Sequence, residues 1–221
     1  MLPHGGEIVP VVDVLTAVPT GGRSQRVVIV SPFHDLEAAD YDALDPLEKL
    51  TFMASAAYQL KRIHEVALIH SDIKPTNLLP HRNKDGTLIA KLLDFDGSYF
   101  LDTPPGTEEY TCDPVYVAPE AIAYMNKSDA SVLGRHVDVF SLGVMFGRLW
   151  GGEWPGTAGG EKYPSDVLVS RVCDPARWLR GVRGIPVGIP VLVAGMVNAD
   201  YTGRLSAQIV DTECKKILET A

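Results

Sequence analysis

His70-Ser71-Asp72-Ile73-Lys74-Pro75-Thr76-Asn77 is followed, after an apolar run at Leu88 to Leu93, by Asp94-Phe95-Asp96-Gly97. The first stretch sets an Asp, a Lys two residues on and an Asn five residues on in one short loop. The second sets another Asp at the end of a strand. These residue types suit metal-assisted phosphoryl transfer. One carboxylate orients a hydroxyl, a lysine offsets phosphate charge, and an Asn and an Asp offer magnesium its preferred oxygen ligands.

Outward from these motifs, the chain alternates strand and helix signals. Leu78-Leu79 and Leu88 to Leu93 read as short strands around the polar turn Asn83-Lys84-Asp85-Gly86. Upstream, Asp45-Pro46-Leu47-Glu48 announces a helix: Asp45 caps it, Pro46 suits its first position and Glu48 completes a capping box. Leu50, Met53, Ala57, Leu60 and Ile63 follow at helical spacing. Glu7 to Val14 and Arg26 to Val30 read as strands of a hairpin around the turn Pro19 to Ser24. Downstream, Val139, Leu142, Phe146 and Leu149 mark a helix that is apolar nearly all round and belongs in the middle of a domain. Val191 to Val197 and Ser206 to Leu218 read as further helices. A few strands followed by mostly helices is an α+β pattern, and the 45–64 helix is expected to pack against the 138–149 helix.

The 221 residues suffice for one well-formed core, and 46% hydrophobic with 22% charged residues is ordinary globular usage. The formal net charge of −8 argues against nucleic acid as a partner. Three scattered cysteines exclude a disulfide scaffold. The longest uncharged apolar stretch, Ile185 to Asn198, is too short to span a membrane and is broken by Pro and Gly. Residues 1–20 hold no Lys or Arg, so no signal peptide is expected. An intracellular location, cytoplasmic or nuclear, follows as the expectation.

At this point the sequence resembles a eukaryotic-type serine/threonine protein kinase domain. Residues 70–77 look like the catalytic loop and Asp94-Phe95 like the metal-binding motif. Val117-Ala118-Pro119-Glu120 looks like the end of the activation segment. Asp138 to Val144 looks like the central helix of the large lobe. Arg204 stands where the family has the arginine that pairs with the glutamate matched by Glu120. The resemblance implies a protein-kinase-like fold: a mainly α-helical large lobe over 35–221, with residues 1–34 a remnant of the small-lobe sheet and the hinge. It implies Asp72 as catalytic base, Lys74 steadying the transferred phosphoryl, and Asn77 and Asp94 binding magnesium. ATP would set its adenine against the Pro32 carbonyl and the His34 amide, behind which sits Ser31, with Leu79 as the apolar floor. The implied substrate is a protein carrying Ser or Thr. His70, Asp138, Glu120 and Arg204 are implied to be structural: Asp138 anchors the catalytic loop's backbone, and Glu120 with Arg204 forms a buried ion pair.

The sequence departs from the family at several positions. Ser71 stands for the arginine after the catalytic-loop His, Asp96 for the glycine after Asp94-Phe95, and Cys112-Asp113 for a Gly-Thr pair. Only 30 residues precede Ser31, and neither a lysine nor a GxGxxG lies among them. An N-terminally truncated kinase with weak ATP binding and little transfer is expected on this ground. Two other functions stay open: a catalytically inactive pseudokinase serving as a scaffold, and a small-molecule phosphotransferase, in which an Asp-Phe-Asp run is common.

Overall fold

A computed structural model describes residues 13–17, 26–30, 40–127, 132–151, 165, 179 and 182–221, the first two stretches and Lys127 by backbone alone. Strands β1 (Asp13–Ala17) and β2 (Arg26–Val30) form an antiparallel hairpin with Asp13 opposite Val30 and Ala17 opposite Arg26. The strand expected over 7–14 overlaps β1 in two residues only. β1 instead continues through Leu15 and Thr16, both suited to a pleated strand, to match the five residues of β2. Residues 7–12 and the turn 19–24 lie outside the described residues.

Helix α1 (Pro46–Glu65) begins as its sequence dictates. Asp45 Oδ1 accepts the Glu48 N–H at 2.8 Å, and Glu48 Oε2 accepts the Asp45 N–H at 3.1 Å. The predicted stripe of Leu50, Met53, Ala57, Leu60 and Ile63 is buried throughout. Its partners differ from the expectation: α1 packs chiefly on α5 (Ala207–Thr220) and β5 (Leu88–Leu92), and only lightly on α3 (His136–Gly151). The reason lies in α3 itself, whose surface is engaged by α4 (Ile189–Met196). A Cβ at Gly143 would stand 2.7 Å from the Met196 Cβ, so the glycine permits that close helix approach.

β5 is buried along its whole length and pairs antiparallel with β4 (Leu78–Arg82). β4 runs past the expected Leu78-Leu79 through Pro80, because a strand paired on one side tolerates a missing donor. Two polar residues on the buried face of α1 complete β5. Ser55 Oγ accepts the Ala90 N–H at 3.0 Å, Gln59 Oε1 accepts the Leu92 N–H at 3.1 Å, and Gln59 Nε2 donates to the Ala90 carbonyl at 2.6 Å. The short strands β3 (Leu68–Ile69) and β6 (Tyr99–Phe100) form a third antiparallel pair.

Helix α2 (Pro119–Lys127) starts inside the Ala118-Pro119-Glu120 motif, with Pro119 in its first turn. α4 begins two residues before the expected Val191, with Pro190 in its first turn, and α5 begins after the Ser206 cap. Five helices and three two-stranded antiparallel sheets among the described residues make the α+β, mainly helical architecture that the sequence implied. No helix among the described residues is long and apolar enough to cross a membrane.

Candidate active site

The two motifs meet at the open end of the β4–β5 hairpin. Leu78 pairs with Leu92, and one step beyond, the Leu93 N–H donates to the Asn77 carbonyl at 2.8 Å. Asn77 therefore sits beside Leu93, with Asp94 next along the chain. Asp94 turns there with φ 61, in the left-handed region, and its side chain faces solvent.

The catalytic loop hangs from α3. Asp138 is fully buried; its Oδ2 accepts the His70 N–H at 2.9 Å and its Oδ1 accepts the Ser71 N–H at 2.8 Å. His64 Nε2 of α1 lies 2.9 Å from the same Oδ2. His70 is buried, with Nε2 donating to the Leu93 carbonyl at 2.9 Å and its ring 4.8 Å from the Phe95 ring. Both residues are structural, as expected. The Glu120–Arg204 pair is buried too. Arg204 Nη1 and Nη2 each donate to Glu120, the second at 3.0 Å, and the guanidinium also reaches the carbonyls of His136 and Asn198. That bond ties α2 to the segment before α5.

Within the loop, Asp72, Lys74 and Asn77 form one cluster. Lys74 Nζ lies 2.6 Å from Asp72 Oδ2, and Asn77 Nδ2 donates to that same oxygen and to the Asp72 carbonyl, each at 2.9 Å. Asp72 Oδ1 is shielded from solvent and takes no hydrogen bond from the described residues. The bond to Asp72 raises the Lys74 ammonium above its ordinary value against some desolvation, and the charges of Asp72, Asp113 and Asp94 add to it. Of these carboxylates, Asp72 is the one in contact with the ammonium.

Cys112 and Asp113 belong to this neighbourhood, although the motif reading gave them no role. Burial pushes the Cys112 thiol up to about 11, helped by the charges of Asp72 and Asp113 and opposed by Lys74. Their signal in the sequence was the departure from Gly-Thr. Ser71, noted in the sequence only as a departure from the family, has a contact of its own: its hydroxyl donates to the Gly97 carbonyl at 2.7 Å. Leu79 lies half-buried in β4. Pro32 and His34, assigned to adenine, lie outside the described residues.

Among the described residues, no three His, Cys, Asp or Glu side chains form a metal cage. The donor set still fits magnesium. Asn77 offers a carbonyl oxygen and the exposed Asp94 a carboxylate, and magnesium completes its shell with phosphate and water rather than with protein alone.

Residues 23–212 match the family described as Protein kinase domain, and the chain belongs to that family. Its relatives are eukaryotic-type serine/threonine kinases. It is 34% identical to the Serine/threonine-protein kinase DCLK1 of Rattus norvegicus over 111 residues, 48% of this chain and 24% of that protein. It is 33% identical to Calcium-dependent protein kinase 20 of Oryza sativa subsp. japonica over 149 residues, 66% of this chain and 25% of that protein. With the Mitogen-activated protein kinase Hog1 of Zymoseptoria tritici the figures are 30% over 156 residues, 64% and 40%. The chain thus spans between about a quarter and two-fifths of these relatives.

Proposed function

We propose that this chain supplies the large lobe of a serine/threonine protein kinase, residues 35–221, with residues 1–34 belonging to the small lobe and hinge. The observation that carries the reading is the divided state of the Asp72 carboxylate. One oxygen is held by Lys74 and Asn77, while the other has an unmet demand for a donor. A substrate Ser or Thr hydroxyl is the donor that oxygen would take once the atoms that shield it from solvent give way.

In this reading Asp72 orients the hydroxyl and accepts its proton as the oxygen attacks the γ-phosphorus of ATP. The bond between that phosphorus and the β–γ bridging oxygen breaks, and ADP leaves with the electron pair. Lys74 draws negative charge from both Asp72 and the moving phosphoryl. Asn77 fixes the loop so that the carboxylate does not rotate away. Asn77 Oδ1 and Asp94 would hold magnesium, whose chemistry there is neutralisation of phosphate charge. Pro32, His34 and Leu79 would receive the adenine.

The test is calorimetric titration of the chain with ADP, with and without magnesium, followed by transfer to a Ser/Thr peptide in a form with a complete small lobe. Magnesium-dependent binding is expected, weakened at least tenfold in Asp94→Ala and within about twofold of wild type in Asp72→Ala, which should abolish transfer. Absence of magnesium-dependent binding would favour the scaffold reading.

A further inference from the structure

Ser71 has a place in the fold that its neighbours' roles do not account for. The residue is buried, with φ 64, a conformation that L-residues adopt at a cost. Its N–H is committed to Asp138, which holds its backbone, and its hydroxyl donates to the Gly97 carbonyl, 2.7 Å away.

Gly97 lies inside the turn that follows Asp94, which the Ser98 N–H closes on the Phe95 carbonyl at 3.0 Å. The near end of this turn is tied through Leu93, whose carbonyl accepts from His70 Nε2 at 2.9 Å. The far end is tied through Gly97 to Ser71. Two consecutive catalytic-loop residues thus clamp the Asp94 turn from both sides. The fit is close at the second tie: a Cβ on Gly97 would stand 3.4 Å from Ser71 Oγ and 3.3 Å from Thr111 Oγ1.

We infer that Ser71 is a positioning residue: its hydroxyl latches Gly97 and so sets where the Asp94 carboxylate stands, with no phosphate group required. The latch itself is independent of the kinase reading; only its consequence for magnesium rests on what Asp94 binds.

Two variants separate the hydroxyl from the backbone. Ser71→Ala loses the hydroxyl and keeps the cost of φ 64. Ser71→Gly loses the hydroxyl and relieves that cost. In the 221-residue chain, amide hydrogen exchange at Asp96 through Ser98 is expected to accelerate about 3–10-fold in both variants, the effect of one lost neutral hydrogen bond. Magnesium–ADP affinity should fall by a similar factor, while affinity for metal-free ADP stays within about twofold. A general loss of structure would lower both affinities together. Exchange in Ser71→Gly equal to wild type overturns the latch. Faster exchange with unchanged magnesium–ADP affinity overturns the positioning of Asp94. A wild-type chain that binds no magnesium–ADP would defeat the functional reading, and the exchange result would then decide the latch alone.

Discussion

The backbone N–H of His70 donates to the buried carboxylate of Asp138 across 2.9 Å, joining the start of the 70–77 loop to the central helix α3. The same carboxylate also takes the Ser71 N–H and lies against the His64 imidazole. Asp138→Ala would leave two buried backbone donors without a partner. Unmet buried donors cost about 1–3 kcal/mol each, so a loss of about 3–5 kcal/mol is expected in urea unfolding. A loss below about 1 kcal/mol would show that the loop is held elsewhere.

The Glu120–Arg204 pair makes a second stability prediction. Arg204→Ala strips the buried Glu120 charge of its guanidinium, leaving His136 Nε2 at 3.6 Å, and should cost about 3–5 kcal/mol. The double variant Glu120→Gln with Arg204→Met removes both charges. It should be less destabilised than Arg204→Met alone, giving a clear coupling energy in the cycle of Glu120→Gln, Arg204→Met and their double variant. Strict additivity would contradict the pairing.

Turnover distinguishes the carboxylates of the site. In a form with a complete small lobe, Asp72→Ala should act on turnover more than on nucleotide affinity, whereas Asp94→Ala should weaken both. Asp96 is also exposed, and its N–H lies 3.4 Å from Asp94 Oδ1, but it stands two residues further from the Leu93–Asn77 bond. Asp96→Ala should therefore do less than Asp94→Ala. Full activity in Asp94→Ala with loss in Asp96→Ala would exchange their roles.

Alkali should destabilise the fold. Burial raises the Cys112 thiol to about 11 and raises Cys214, Tyr99 and Tyr110 as well. Each group binds its proton more tightly folded than unfolded. The folded state therefore keeps protons that the unfolded chain has released, and stability falls as pH rises from about 9 towards 11. Urea midpoints across that range should decline, less steeply in Cys112→Ala. A flat profile would be inconsistent with these burials.

Position 71 also bears on regulation. Thr107 and Thr111 lie in the stretch ahead of Val117-Ala118-Pro119-Glu120, and with Ser71 in place of an arginine the 70–77 loop offers no guanidinium to a phosphate on either. Thr111→Glu should leave exchange across residues 97–113 unchanged or faster. Slower exchange would mean that another cation takes that part.

The Asp72–Lys74–Asn77 contacts were readable because they are local: the three lie within six residues, and their spacing is their geometry. The capping box of α1 was readable for the same reason. The roles of Asp138, Glu120 and Arg204 came through the family resemblance, since nothing in their local sequence announces partners so far along the chain. The partners of α1 were misjudged because an apolar stripe states that a face is buried and not against what. α2 was missed because Ala118-Pro119-Glu120 drew attention as a motif and not as a helix start. The Ser71–Gly97 bond depends on a left-handed turn that a serine does not advertise.

Ser55 and Gln59 on α1 have a consequence beyond satisfying three backbone groups of β5. A two-stranded sheet ordinarily presents an open edge to any strand that drifts by, including one from another molecule. Here a helix occupies that edge through side chains, so β5 offers no template for intermolecular pairing. The two polar residues also index α1 along the strand. Packing holds the helix in place, and a slip would in addition strand the Ala90 and Leu92 amides in a dry interior.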